Sequence, residues 1–416
     1  MKKMLMGLFA TGLFSGYSWA EPLLLDATLN QVSGTRTVEV RYRLTGPDPV
    51  IITLDIETNG VALPPPSMKH LTGDVSITMS SYITPDENNL KTILWDAGQD
   101  WPGNLTTNAI AKVTAYYTNT PPAYLVVDLS GGTGASVFPV RRTCQMPNVD
   151  DDACRTTELW LRHIPAGTFT MGDGTSNTVD YSEHAVTLTK DYYIGVFEIT
   201  QFQWYQVLGT KPDAYTNLQC WATRPVGNIA YTTIRGTWPT TGYPTDDYIA
   251  PTSFFGVLRA KTGIDTFDLP TDAQWERACI GTLGCGYTWN DGSANTDTNN
   301  LALLARCWLN STGTTDYSVG NTYGTAKVGS YKPNTLGLYD MHGNVSEFCR
   351  DRFMTPLGQS SVTDPLGATT GTSILYRGAG ANDSIIGNFY TTARLTQNAI
   401  TFINARLGFR IISAVR

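Results

Sequence analysis

From Thr37 to Leu44 the chain reads TVEVRYRL, and this alternation restricts its geometry more than any other feature. Val38, Val40, Tyr42 and Leu44 fall on one side, and Glu39, Arg41 and Arg43 on the other. A period of two belongs to a strand with one buried and one wet face. Ile52, Leu54 and Ile56 alternate with Thr53, Asp55 and Glu57 in the same way. VSITM, KTILW, AIAKVTAYY and YLVVDL repeat the pattern, separated by Gly-, Pro- and Asn-rich turns.

Half a dozen or more short strands at this spacing predict an antiparallel all-β sandwich over residues 21–137, of the immunoglobulin or fibronectin type. It carries no cluster of reactive side chains, which suits a spacer or docking module. Near residue 137 the pattern changes, and 138–416 reads as an α+β domain with little regular secondary structure. Thr200 with Gln203 forms a capping box whose helix should stop at Gly209. FFGVLRAKTG predicts a second helix ending at Gly263. LPTDAQWERACIG predicts a third, opened by Thr271 and Gln274, with Gly281 past its end. Loops make up the rest, and loops of this length need disulfides or bound cations to fix them. GGTGAS at 131–136 lacks the Lys and following helix of a phosphate loop and reads as a linker.

The first twenty residues carry Lys2-Lys3, an apolar run from Met4 to Phe14, and small residues at Ser18 and Ala20. That layout predicts a signal peptide over 1–20, and hence an exported protein: periplasmic, secreted or at the cell surface. No later stretch is apolar and long enough for a transmembrane helix. A formal net charge of −7 with no run of Lys or Arg disfavours nucleic acid as a partner. Seven cysteines in an oxidising compartment predict disulfides, with Cys144–Cys154 and Cys279–Cys285 the local candidates. The acidic run Asp150-Asp151-Asp152 would then be a solvated disulfide loop.

GLYDMHGNVSEF, residues 337–348, is the densest chemical cluster. Asp340 and Glu347 are hard carboxylates, and Gly343-Asn344 is a tight-turn pair between them. A turn there would aim the carbonyls of Gly343 and Val345 towards both side chains. Such oxygen-only ligation suits Ca²⁺ rather than Zn²⁺. A plain β-turn with Asp340 as a local cap is the competing reading. His342 has no nucleophile in local context, and the four His residues form no HxxxH or HxH pair, so His342 reads as structural. His184 reads as a partner within a turn.

These pieces occur together in one known order. IPAGTFTMG (164–172), YIG with EIT (193–200), RPV (224–226) and LPTDAQWE (269–276) are followed by VG and PN (328–334), GLYDM with GNV (337–345) and GFR (408–410). Over 158–412 the chain resembles the formylglycine-generating enzyme family, the sulfatase-modifying factors, with its C-type-lectin-like fold. The resemblance implies a structural Ca²⁺ held by the side chains of Asp340 and Glu347 and the carbonyls of Gly343 and Val345. It also implies that Arg377, Arg394 and Arg410 join the core loops through carboxylates such as Glu198 or Glu276.

Catalysis departs from that pattern. Active members bind Cu(I) with two cysteines five residues apart and, with O2, oxidise a substrate cysteine to formylglycine. Here Asp383 and Asn388 occupy those positions, and no cysteine follows Cys349. Copper is therefore not expected, nor is any catalytic residue. The expectation is a non-catalytic, Ca²⁺-stabilised domain that binds a protein or glycan through Asn382, Asp383 and Asn388. The alternatives are a formylglycine-generating-type oxidoreductase acting through other residues, and a purely structural surface protein.

Overall fold

The computed structural model describes residues 23–415 apart from 47, 59–60, 64–69, 77–81, 105, 107, 118–120, 174–181, 212–220, 238–247, 283–297, 312–323, 355–359 and 371–372. The expected signal segment, Cys220 and Cys285 thus lie outside the described residues. The chain forms two compact units. The first comprises the described residues up to Asp128 together with Pro139–Asp150. The second comprises Leu129–Phe138 and the chain from Asp151 onward. The segment 139–150 therefore belongs with the β module, although the change in sequence pattern lies before it.

The first unit holds β1 (Leu23–Gln31), β2 (Thr37–Thr45), β3 (Val50–Thr58), β4 (Val61–Ala62), β5 (Leu71–Gly73), β6 (Asp86–Asp96), the short helix α1 (Ala97–Asp100), β7 (Ala109–Tyr117), β8 (Tyr124–Asp128) and β9 (Val140–Thr143). One sheet has the order β1-β2-β6-β5 and another β4-β3-β7, all antiparallel. Val40, Tyr42, Ile52, Leu54, Ile93, Trp95 and Val113 from both sheets bury into one cluster. These are the apolar members of the alternating pairs, and their burial from water drives the two sheets together.

The second unit holds β10 (Glu158–Ile164), β11 (Gly167–Met171), β12 (His184–Leu188), β13 (Tyr192–Gly195), α2 (Gln201–Leu208), α3 (Tyr231–Ile234), α4 (Phe254–Thr262), β14 (Phe267–Asp268), α5 (Asp272–Ile280), α6 (Thr298–Leu304), β15 (Ser346–Arg352), β16 (Val362–Thr363), β17 (Ile374–Arg377), β18 (Leu395–Gln397), β19 (Leu407–Gly408) and β20 (Ile412–Ala414). Antiparallel pairing joins β10 to β13, β13 to β20 and β20 to β14. A second sheet has the order β18-β17-β15-β19 and a third β11-β12-β16. The unit is mostly β, with few helices.

All three expected helices form at the expected sites. Thr200 and Thr271 each complete both bonds of a capping box, with Gln203 and Gln274. α2 and α4 end on left-handed Gly209 and Gly263, with φ of 71° and 69°. That conformation costs glycine little because it has no Cβ. GGTGAS turns its carbonyls outward: Lys261 Nζ donates to the oxygens of Gly132 and Thr133. The segment lies within Leu129–Phe138 of the second unit, so it packs as part of that unit and is not a linker between the two.

The disulfide expectation is corrected. Cys144, Cys154, Cys279, Cys307 and Cys349 are all free. Cys144 Sγ lies 2.9 Å from Tyr116 Oη, and Cys154 Sγ donates to the Asp151 carbonyl at 3.1 Å. Asp152 is equally engaged, by Arg155 at 3.3 Å and Lys327 at 2.5 Å, so the acidic run is no disulfide loop. Among the described residues no helix is long and apolar enough to cross a membrane.

Candidate functional site

Two neighbouring stretches of the second unit carry the candidate chemistry. The first is the turn entering β15. Asp340 and Asn344 both adopt left-handed backbone, with φ of 58° and 73°. Such angles cost a residue with a Cβ energy that the surroundings must return. At Gly343 a Cβ would meet the Arg306 carbonyl at 2.4 Å, so only glycine fits. Asn344 fastens the turn: Oδ1 accepts from Ala326 N at 2.8 Å and Nδ2 donates to Glu198 Oε2 at 2.6 Å. Glu198 Oε1 accepts from Val345 N at 2.9 Å. His342 is buried, and its Nδ1 lies 2.9 Å from the Phe389 carbonyl, in keeping with a structural role.

The carboxylates here are crowded and dry. Asp340 and Glu347 are 2% and 0% exposed. Asp340 Oδ2 accepts from Gly329 N at 2.6 Å, while its buried Oδ1 has no hydrogen-bond partner. Burial pushes Asp340 up to about 6, with the Glu347 charge adding to it. Burial, then the charges of Asp340 and Glu347, push Glu198 well above the usual carboxylate range. Glu347 is held by a two-pronged guanidinium: Arg410 Nη2 donates to Oε1 at 2.6 Å and Nε to Oε2 at 2.7 Å. Trp275 Nε1 donates to the same Oε2 at 2.7 Å.

A hard cation is thus matched in part. The orphaned Asp340 oxygen and three carboxylates set against Arg410, with Arg155 also acting on Asp340, favour either a proton or a further cation among them. Glu347, however, already serves Arg410 and Trp275, so a cation would have to share that carboxylate. Among the described residues no three acidic, imidazole or thiol side chains form a metal cage. A site here would depend on backbone oxygens such as those of Gly343 and Val345.

Arg377 and Arg394 bracket the same core. Arg377 Nε donates to Asp272 Oδ1 at 2.6 Å and Nη2 to Glu276 Oε2 at 2.7 Å. Arg394 Nε donates to Asp272 Oδ2 at 2.9 Å. The expected Arg377–Glu276 link is present. Arg410 chooses Glu347, and Glu198 takes amide donors instead.

The second stretch follows β17. Asp383 Oδ2 accepts from Asn388 Nδ2 at 2.8 Å, and its Oδ1 accepts from Ile385 N at 3.0 Å. The two therefore face each other across a short turn. They line a cleft of about 220 Å³ together with Ser346, Tyr376, Phe402 and Arg406. A Cβ at Gly380 would meet that of Arg406 at 2.8 Å, so glycine lets the two loops meet. Asn382 is not among the lining residues, and its Oδ1 accepts from Ser311 Oγ at 3.1 Å. Sequence reading missed Tyr376, Phe402 and Arg406. Tyr376 could have been found, since strand alternation sets it opposite the buried Leu375 and Arg377. Phe402 and Arg406 lie in a loop with no periodic signal.

Comparison with known proteins decides the relationship. The Sulfatase-modifying factor enzyme 1-like domain family matches residues 150–415. The chain belongs to that family. Among curated relatives, the "Chaperone protein LppX" of Paenibacillus barcinonensis is 31% identical over 196 residues, 41% of this chain and 65% of the relative. The "Formylglycine-generating enzyme" of Streptomyces coelicolor is 34% identical over 146 residues, 34% of this chain and 45% of the relative. The chain thus spans less than two thirds of either relative's length. Among solved structures, Treponema denticola variable protein 1 is 24% identical at a TM-score of 0.47, covering 62% of this chain and 95% of that one.

Proposed function

We propose that this chain is a non-catalytic member of its family: an exported protein whose Ca²⁺-stabilised second unit binds a protein or glycan in the Asp383 cleft. One observation carries the reading. The residues standing where active relatives place two copper-binding thiols are a carboxylate and an amide, hydrogen-bonded to each other at 2.8 Å. Cu(I) is soft and needs thiolate ligands, which neither side chain supplies.

The other described thiols of this unit are poor substitutes. Cys154, Cys279, Cys307 and Cys349 are buried, and burial pushes all four up, Cys154 and Cys279 to about 12. Burial keeps these thiols from an incoming peptide and disfavours the thiolate that nucleophilic attack needs. Two exposed isoleucines adjoin the lining residues in sequence, Ile385 at 62% and Ile403 at 56% exposure. Apolar side chains at a rim favour a protein over a glycan.

In this reading Asp340 and Glu347 with the carbonyls of Gly343 and Val345 hold the Ca²⁺. The first unit is an immunoglobulin- or fibronectin-like docking module. The test is to incubate the purified protein with Cu(I), O2 and a Cys-x-Pro-x-Arg peptide and search for formylglycine by mass spectrometry. No product above the protein-free control is expected. Product would overturn the non-catalytic reading in favour of an oxidase acting through other residues. Export is tested separately, by finding the amino terminus of the exported protein at Glu21.

A further inference from the structure

We infer that the outer side of α2 carries a binding site for a trimethylammonium group, such as that of choline, between Tyr205 and Trp221. α2 turns Gln203, Trp204, Gln206 and Val207 into the core. Phe202 and Tyr205, three residues apart, share the side away from it, and Tyr205 is 38% exposed. Trp221 opens a single 3-10 turn, Trp221–Thr223, that packs beside them. Phe202 is the back wall: its ring centroid lies 6.2 Å from that of Tyr205 and 5.8 Å from that of Trp221, tilted 48° to each. None of the three lines the Asp383 cleft, so the inference does not rest on the function proposed for that cleft.

A cation already sits on these rings. Lys211 Nζ stands 4.2 Å from the centroid of the Trp221 ring and 5.5 Å from that of Tyr205, within cation–π range. Lys211 is exposed, and among the described residues it makes no ion pair. Ring faces alone therefore hold the ammonium. The rings themselves are fixed by bonds in which Lys211 has no part. Gln201 N donates to the Arg224 carbonyl at 2.9 Å and Arg224 N to the Trp221 carbonyl at 3.1 Å, which ties the turn to the start of α2. At the other end, α2 stops at left-handed Gly209, and Trp204 Nε1 donates to Thr210 Oγ1 at 3.1 Å.

The nature of that contact selects the class of ligand. A lysine ammonium is compact and strongly hydrated, so a ring face open to water holds it only weakly. A trimethylammonium group spreads its charge over its methyls and has no N–H to leave unpaired. It gains the same attraction to the rings and buries apolar surface against them as well. A primary amine from a partner would only exchange one lysine for another. A neutral sugar would have to displace an ammonium with no charge to offer the rings. Lys211 is in this sense a resident competitor that a quaternary cation can turn out.

Titration of the full chain with choline, followed by NMR of the choline methyl signal, tests this. Millimolar binding is expected. The neutral isostere, in which carbon replaces the quaternary nitrogen, should bind about fivefold more weakly, the scale of a cation–π contact at a wet surface. Lys211→Ala removes the competitor and should tighten choline binding about two- to fivefold. Trp221→Leu should weaken it about tenfold or more. Tyr205→Leu, a change on the helix surface, should weaken it several-fold and guards against a Trp221 variant that fails to fold. Equal binding of the neutral isostere, no tightening in Lys211→Ala, unchanged binding by a folded Trp221 or Tyr205 variant, or no binding at millimolar choline would each overturn the assignment.

Discussion

The two units solve the problem of holding a chain together by different means. In the first, nine-residue strands pair in long runs, as in the unbroken register of β3 with β7 from Val50–Tyr117 to Thr58–Ala109. Its core is an apolar layer, and its Arg41–Glu39 pair lies in solvent. In the second, several strands have only two to four residues. There the loops are held by buried ion pairs: Arg377 with Asp272 and Glu276, Arg410 with Glu347, Arg235 with Asp268. The difference teaches that regular alternation lets hydrophobic burial do the specifying. Where alternation is absent, directional polar bonds between distant residues must do it, and each is costly to leave half made.

That contrast can be broken, beginning with the largest expected effect. Arg377→Met should strip Glu276 of its guanidinium, leave Asp272 with Arg394 alone, and destabilise the second unit by about 3–5 kcal/mol, read from its thermal or urea transition. A loss under 1 kcal/mol would mean that the polar network is not what holds these loops. Next in size is cation removal. EGTA, or Asp340→Ala with Glu347→Ala, should lower the melting temperature of the second unit. About 2.7 kcal/mol is at stake if Ca²⁺ stands at a hundredfold its dissociation constant. Unchanged melting under EGTA would sink the metal assignment.

Smaller is a pH effect. Burial, with the Asp272 charge next, pushes Asp351 up to about 7. The folded protein therefore binds its proton more tightly than the unfolded chain. This contribution is fully present below about pH 4 and is lost as pH rises through 7. Asp351→Asn keeps the acceptor for Asp272 N, which bonds Asp351 Oδ2 at 2.7 Å, and should flatten this decline by at least about 1 kcal/mol. Identical pH–stability curves for the two proteins would refute the shift. Smallest is Ile93→Val in the first unit, expected to cost about 0.5–1.5 kcal/mol in that unit's transition alone.

The same contrast explains what could be read from the sequence. Val38 to Leu44 announced a strand because neighbours two apart share a face. The capping boxes at Thr200 and Thr271 were legible because both partners lie within three residues. The turn from Asp340 to Glu347 could be seen as a cluster for the same reason. Its wiring could not: Glu198 meets Asn344 and Glu347 meets Arg410 across long stretches of chain, and no local spacing encodes such pairs. The Cys144–Cys154 expectation failed on that ground, since proximity in sequence says nothing about which way two thiols turn. Asp383 and Asn388 were legible through their positions in the family pattern, while Phe202 and Trp221 left no mark as a pair until the fold brought them together.

One consequence follows from how the Asp383 cleft is mounted. Asn382, Ser384, Ile385, Ile403, Asn404 and Arg406 are exposed. The backbone carrying them is anchored by the buried Arg377 before the first loop and the buried Arg410 after the second. Replacing Ser384, Ile385 or Ile403 changes what an incoming molecule meets and leaves the buried Arg377 and Arg410 anchors untouched. If the cleft binds as proposed, its surface chemistry and the folding of the domain are set by different residues.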